Sequence, residues 1–177
     1  KERSKAIEFL SFFKKYFEDP HITKIGQNIK FDILFLKSYG VNVDGPLFDT
    51  MIAHYLLQPE LKHNMDYLAE VYLKYKTITY EDLCGEKGKN QLPIRQVDKK
   101  KLCEYACEDV DVTLKLKQVF SPMIHDNQLD YLFYDVEMPL IYVLSSMEWE
   151  GVRIDVEALH LISVQLSERL VQIEQQV

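Results

Sequence analysis

The chain has 177 residues, 47% of them hydrophobic and 12% aromatic, which suffices for a packed core and excludes a disordered tail. No apolar run approaches the roughly 20 residues needed to cross a bilayer, and the start at Lys1 shows neither an initiator Met nor a signal-peptide h-region; the sequence reads as soluble, cytoplasmic and cut from something longer. The net charge of −7 argues against a nucleic-acid binder only until its distribution is drawn: residues 1–120 hold 19 Lys and Arg against 18 Asp and Glu, and residues 121–177 hold 2 against 10.

Ala6, Ile7, Leu10, Phe13 and Phe17 recur at helical spacing, so residues 4–18 predict an amphipathic helix that ends near Pro20. Ile22–Ile25 predicts a buried strand. Gly26, Gln27 and Asn28 break it, and a helical pattern resumes over Ile29–Tyr39 with Gly40 at the C′ position. Asp32 therefore falls in the first turn of a helix that follows a strand at once, the place where open α/β folds build ligand sites. After a loop over Val41–Pro46, Asp49 predicts the cap of a helix over Thr50–Gln58, and Asn64 the cap of another from Met65 to Tyr75. Lys87–Pro93 reads as a loop. Around it, Lys87, Lys89, Arg95, Lys99, Lys100 and Lys101 outnumber Glu86 and Asp98, which suits a phosphate-facing loop or a solvated linker equally well. Asp98 predicts the cap of a long helix reaching about Val119 and stopped near Pro122. Helices over Leu129–Glu150 and Asp155–Gln175 follow, separated by Gly151 and an extended Val152–Ile154.

The cysteines, Cys84, Cys103 and Cys107, form no C-x-x-C pair, and their odd count suits a reduced compartment. Cys103 and Cys107 lie one helical turn apart; with no further His or Cys to complete a ligand set, they read as small core residues.

On the long helix, Tyr105 and Asp109 are four residues apart and share a face, so a phenol and a carboxylate point into one site. Asp32 offers a second carboxylate from another helix. Converging carboxylates suit hard cations such as Mg²⁺, and two ions roughly 3.5–4 Å apart can activate a water and stabilise the leaving oxygen of a phosphodiester. Taken singly, each residue has an ordinary explanation, since a helix dipole favours an Asp in the first turn without any function.

The string Gly26-Gln27-Asn28-Ile29-Lys30-Phe31-Asp32 resembles the second exonuclease motif of the DNA polymerase I family. Tyr105-Ala106-Cys107-Glu108-Asp109-Val110-Asp111-Val112-Thr113-Leu114 resembles the third, in its tyrosine-bearing form. Between them, Phe48-Asp49-Thr50-Met51, His63-Asn64-Met65-Asp66, Lys76-Thr77-Ile78-Thr79-Tyr80 and Gly88-Lys89-Asn90-Gln91-Leu92 look like the same family's connecting segments. After them, Glu137-Met138-Pro139-Leu140 and the run from Met147-Glu148 to Gly151-Val152-Arg153-Ile154-Asp155 resemble the opening of its polymerase region. The likeness covers nearly the whole chain, and several unrelated short strings agree in order.

The resemblance implies an α/β, ribonuclease-H-like 3′→5′ exonuclease fold over residues 1–120, helix-rich and lacking its N-terminal strands, followed over 121–177 by the first helices of a polymerase region. It implies removal of mismatched 3′ nucleotides at a site for two Mg²⁺ or Mn²⁺ ions, with Asp32 and Asp109 as metal-site carboxylates and Tyr105 orienting the attacking water. Gln27, Asn28, Phe31, Lys62 and Tyr80 would line the cleft for the single-stranded 3′ end of primer-template DNA, Tyr80 by packing on the substrate and Lys62 by a phosphate contact. Phe31 stands where family members often have Tyr, and it keeps the ring without the hydroxyl. The family's first exonuclease motif, an Asp-x-Glu on an early strand, belongs ahead of the first helix, so this chain is expected to hold half a site and to bind metal weakly. Asp135 and Glu137 do not replace it, because in a helix i and i+2 face different ways. Strands missing upstream would leave a sheet edge open to self-association. An RNA-trimming exonuclease of the ribonuclease D type shares similar motifs but leaves residues 137–155 unexplained; a degenerate domain kept as a structural spacer stays open as an alternative, with Asp32, Tyr105 and Asp109 arguing for activity.

Overall fold

The structure, a computed structural model, describes residues 2–88 and 91–176. Lys89 and Asn90, which belong to the basic stretch and to one of the connecting strings, lie outside the described residues. The chain divides into two compact units, Lys1–Ser146 and Met147–Val177.

In the first unit, α1 (Glu2–Phe17) leads to β1 (Lys24–Gly26), α2 (Ile29–Ser38), β2 (Leu47–Asp49) and α3 (Thr50–Leu57). The two strands pair in parallel, Lys24 opposite Leu47, Ile25 opposite Phe48 and Gly26 opposite Asp49, with α2 as the crossover that parallel pairing requires. Lys24 is buried, and its ammonium donates to the carbonyls of Asp19 and Asp44, tying the loops that enter the two strands to each other. β1 begins two residues later than the predicted Ile22–Ile25, and β2 was not anticipated. Three residues are too few to show a period, and both strands take their definition from each other.

Next comes α4 (Met65–Leu68), which widens into a π-helical stretch over Ala69–Leu73 and ends where Lys74 adopts a left-handed conformation, φ 54°. Asn64 occupies the cap position, but its side chain makes no cap hydrogen bond; its carbonyl accepts from Leu68 N instead. A short α5 (Tyr80–Cys84), absent from the sequence reading, starts with a reciprocal capping box between Thr79 and Asp82.

The long α6 (Lys99–Asp126) is capped by Asp98, whose carboxylate accepts from Lys100 N and Lys101 N. Val112, Leu116, Phe120 and Ile124 recur every four residues and form its buried stripe. Pro122 does not end the helix as predicted. The core positions on either side of it, Phe120 and Ile124, are both fully buried, and that burial outweighs the roughly 3 kcal/mol that an internal proline costs. The stripe packs with Ile29 and Ile33 of α2, Phe48 of β2, Ala53 of α3, and Leu68 and Ala69. Residues beyond α6 close the same core: Phe133, from a π-helical stretch over Tyr131–Glu137, meets the Phe48 ring at 4.9 Å, and Met138 and Ile141 of α7 (Met138–Glu150) join them. The predicted Leu129–Glu150 helix is thus present as one continuous helical run, wound as a π-helix over Tyr131–Glu137 before α7.

Cys84 is buried, whereas Cys103 and Cys107, expected to be small core residues, are exposed. The buried stripe of α6 begins at Val112, so its first turns present both thiols to solvent. In the second unit, Gly151 takes φ +73° and Asp155 caps α8 (Val156–Glu174) through Ala158 N; none of that helix's residues is buried. Among the described residues no helix is long and apolar enough to cross a membrane.

Candidate active site

The turn between β1 and α2 organises the site. Gly26 ends β1, and a Cβ there would come within 2.8 Å of the Ile29 side chain, so the turn closes only on glycine. Asn28 follows in a left-handed conformation, φ 59° and ψ 47°, a region that Asn tolerates better than most residues. Its own side chain does not cap α2. The acceptors come instead from Asp49 at the end of β2: its Oδ2 takes Ile29 N at 2.7 Å and its Oδ1 takes Asn28 N at 3.2 Å. The same carboxylate caps α3 through Met51 N at 2.8 Å and Ile52 N at 3.2 Å. Asp49 is 1% exposed. Its pKa is raised above the ordinary value, because burial outweighs the four backbone donors that lower it.

Beside this turn lies an open cleft of about 480 Å³, lined by Ile25, Gly26, Gln27, Asp32, Met65, Asp109, Val110, Thr113 and Leu114. Asp32, in the first turn of α2, and Asp109, midway along α6, face the same space. Both carboxyls are harder to ionise than usual. For Asp32 the surrounding protein desolvates the charge, and Asp49 adds repulsion. For Asp109 desolvation is again the largest cause; the Tyr105 hydroxyl opposes it by hydrogen bonding, and Glu108 and Asp66 repel. Tyr105 is pushed up to about 12, by desolvation first and then by the Asp109 charge and hydrogen bond. The phenol therefore stays protonated at neutral pH and donates to Asp109. Its ring packs beside Leu83, Cys84 and Val97.

Neighbouring carboxylates frame this pair in ways that no local pattern announced. Asp66, at the start of α4, accepts from Thr77 Oγ1 at 2.6 Å, and its charge reaches Tyr105 and Asp109. Glu108 accepts from Tyr75 OH at 2.6 Å and from Ile78 N at 2.7 Å, pinning the segment before α5 to α6.

Of the residues expected to contact DNA, Gln27 lines the cleft with its amide already engaged: Nε2 donates to the His63 carbonyl at 2.7 Å, and Oε1 accepts from Thr50 Oγ1. His63 in turn faces the fully buried His54, Nδ1 to Nδ1 at 2.7 Å, and the other His54 nitrogen meets Tyr72 OH at 3.1 Å. Asn28, Phe31 (66% exposed), Lys62 and Tyr80 are all on the surface and outside the residues lining the cleft. A hydrogen bond with the Cys84 thiol raises the Tyr80 phenol. The chain's Asp-x-Glu strings contribute nothing here: Asp135 and Glu137 sit on the π-helical stretch before α7, and a second string, Asp155-Val156-Glu157, spends Asp155 on capping α8. Two carboxylates and a phenol suit a hard divalent cation in kind. Among the described residues no three His, Cys, Asp or Glu side chains come together as a metal-holding group.

A family model described as 3′-5′ exonuclease, from the A-type DNA polymerases, matches residues 2–125, a stretch that includes Asp32, Tyr105 and Asp109. The chain belongs to that family. Its relatives include DNA polymerase I of Borreliella burgdorferi, 40% identical over 148 residues that cover 83% of this chain and 16% of the relative. DNA polymerase I of Pseudomonas aeruginosa is 37% identical over 171 residues, covering 94% of this chain and 19% of the relative. The chain thus spans less than a fifth of the length of either. Among solved structures, the POL domain of Pol1 from M. smegmatis, in complex with DNA primer-template and dNTP, aligns with a TM-score of 0.65 over 93% of this chain and 25% of its own; at 20% identity the likeness is one of fold. The family match implies a ribonuclease-H-like fold, and this helix-rich unit with its small parallel sheet carries part of it.

Proposed function

We propose that this chain carries the larger part of the 3′→5′ proofreading exonuclease of a DNA polymerase I, and that residues from 121 onward begin the polymerase region. The convergence of Asp32 and Asp109 on one cleft at the carboxyl end of β1, with Tyr105 hydrogen-bonded to Asp109, carries the reading. The substrate is the single-stranded 3′ end of DNA, and the bond broken is its terminal phosphodiester.

Asp32 and Asp109 are the residues that would hold Mg²⁺ or Mn²⁺. Bound there, a divalent cation supplies charge to the scissile phosphate and makes a water more acidic. Desolvation and carboxylate repulsion keep both groups costly to ionise alone, so a positive charge between them is favoured. Tyr105 retains its proton, fixes the Asp109 carboxylate and presents a phenol oxygen that orients the attacking water. Ile25, Met65, Val110 and Leu114 form apolar walls against which a terminal base can lie. Lys62, on the surface, is suited to a phosphate, and Tyr80 and Phe31 to stacking on unpaired bases.

The complete domain should also carry further strands. Support comes from a second hollow of about 390 Å³ beside β1, lined by Phe17, Ile25, Ile29, Ile33, Phe35, Leu36 and Val43 among others, an apolar face of the kind that a sheet strand covers. The decisive test is excision of a 3′-mismatched nucleotide by a polymerase carrying this segment. Loss on Asp32→Asn and on Asp109→Ala, with DNA synthesis intact, supports the reading; undiminished excision in both would overturn it.

A further inference from the structure

One carboxylate holds two helices here. Asp49 accepts four backbone N–H groups: two at the entry to α2 and two in the first turn of α3. It stands opposite Gly26 in the parallel register, so it bolts the turn after β1 to the turn after β2. The Asn28 side chain itself makes no cap hydrogen bond to α2. Asn28 sits in a left-handed conformation that persists only where the surroundings over-determine it, and the donors at that point, Asn28 N and Ile29 N, both end on Asp49. Asp32 lies one turn further along the same helix. We infer that Asp49 is a positioning residue for the cleft, fixing the first turn of α2 and thereby the place of the Asp32 carboxylate, an inference that rests on the role proposed above for Asp32.

The two oxygens divide the work, and this separates positioning from general stability. Oδ1 serves Asn28, Met51 and Ile52, whereas Oδ2 serves Ile29 alone. Asp49→Asn can keep the oxygen that caps α3 while turning an amide NH₂ towards Ile29 N, donor against donor. Asp49→Ala removes both holds and risks the fold, so Asp49→Asn is the informative variant.

Amide exchange by NMR on this chain should show protection at Ile29 falling about tenfold or more, as for a buried donor left without its acceptor, with Met51 and Ile52 unchanged. Residual dipolar couplings of the α2 amides, which report helix orientation without any metal, should move in Asp49→Asn. Mn²⁺-induced relaxation should weaken around residues 31–33 and persist around 108–110. Equal loss of protection at Ile29, Met51 and Ile52, or unmoved α2 couplings, overturns the inference. If α2 moves but wild type shows no Mn²⁺ relaxation at either place, the positioning stands and the metal reading of the cleft fails.

Discussion

Removing one oxygen from Tyr105 separates orientation from ligation at the cleft. In Tyr105→Phe the ring keeps its packing against Leu83, Cys84 and Val97, so the fold should be undisturbed and only the hydrogen bond to Asp109 is lost. Such a bond to a charged acceptor contributes about 1.5–3 kcal/mol when shielded. Both groups here are partly open to solvent, where water replaces much of the lost contact, so the lower end applies and excision should slow about tenfold. Asp109→Ala removes the carboxylate itself and should cost more than about a hundredfold beyond that, since even supporting residues around a metal carry effects of that size. The pH profile supplies an independent sign. The Tyr105 hydroxyl is the group that lowers the Asp109 pKa, so in Tyr105→Phe the carboxyl becomes harder to ionise and the acid limb of excision should move to higher pH. Single-turnover excision of a 3′-mismatched primer, measured from pH 5 to 9 with each variant, tests both statements. A Tyr105→Phe enzyme equal to wild type, or an acid limb displaced to lower pH, would refute the assignment of this helix face.

Isothermal titration of the chain as it stands with Mn²⁺ should show weak binding, because the cleft offers two carboxylates and no third ligand among the described residues; tight binding of two ions would contradict this. Light scattering should reveal self-association through the apolar hollow beside β1, and a strict monomer at high concentration argues against an uncovered face there. Asp32→Asn should raise the melting temperature at pH 7, by no more than about 1 kcal/mol of stability after solvent screening. The Asp32 pKa is raised in the fold, so ionisation costs stability above the folded pKa and the penalty disappears below the usual value of 3.8; a lower melting temperature at pH 7 would reverse that sign. His54, buried and held below 6.5 by desolvation and by His63, contributes stability that is present above pH 6.5 and lost as pH falls from there towards its folded pKa. Urea midpoints of wild type should fall between pH 7 and 5 more steeply than those of His54→Gln; parallel curves would discount the pair.

Much of the site's scaffold is legible in the chain itself, because it rests on local spacing. Tyr105 and Asp109 share a face of α6 because they are four residues apart, Asp49 and Asp98 announce helix starts by the chemistry of capping, and Asp32 falls in a first turn because Gly26 and Asn28 break the strand before it. The ordered motif strings point to the exonuclease family, whose model matches residues 2–125. The tertiary structure alone decides what depends on partners distant in sequence. β2 is three residues long and exists by pairing with β1. Pro122 stays within α6 because the core holds the turns around it. Cys103 and Cys107 face solvent because the apolar stripe starts beyond them. Asp49 reads locally as the cap of one helix, but it holds two, since a hydrogen bond across 20 residues leaves no periodic trace. Asp66 and Glu108 likewise act on the Tyr105–Asp109 pair and on the segment before α5 only after folding. Helical period and capping are encoded between neighbours, whereas electrostatic environment and register belong to groups that meet only when the core closes.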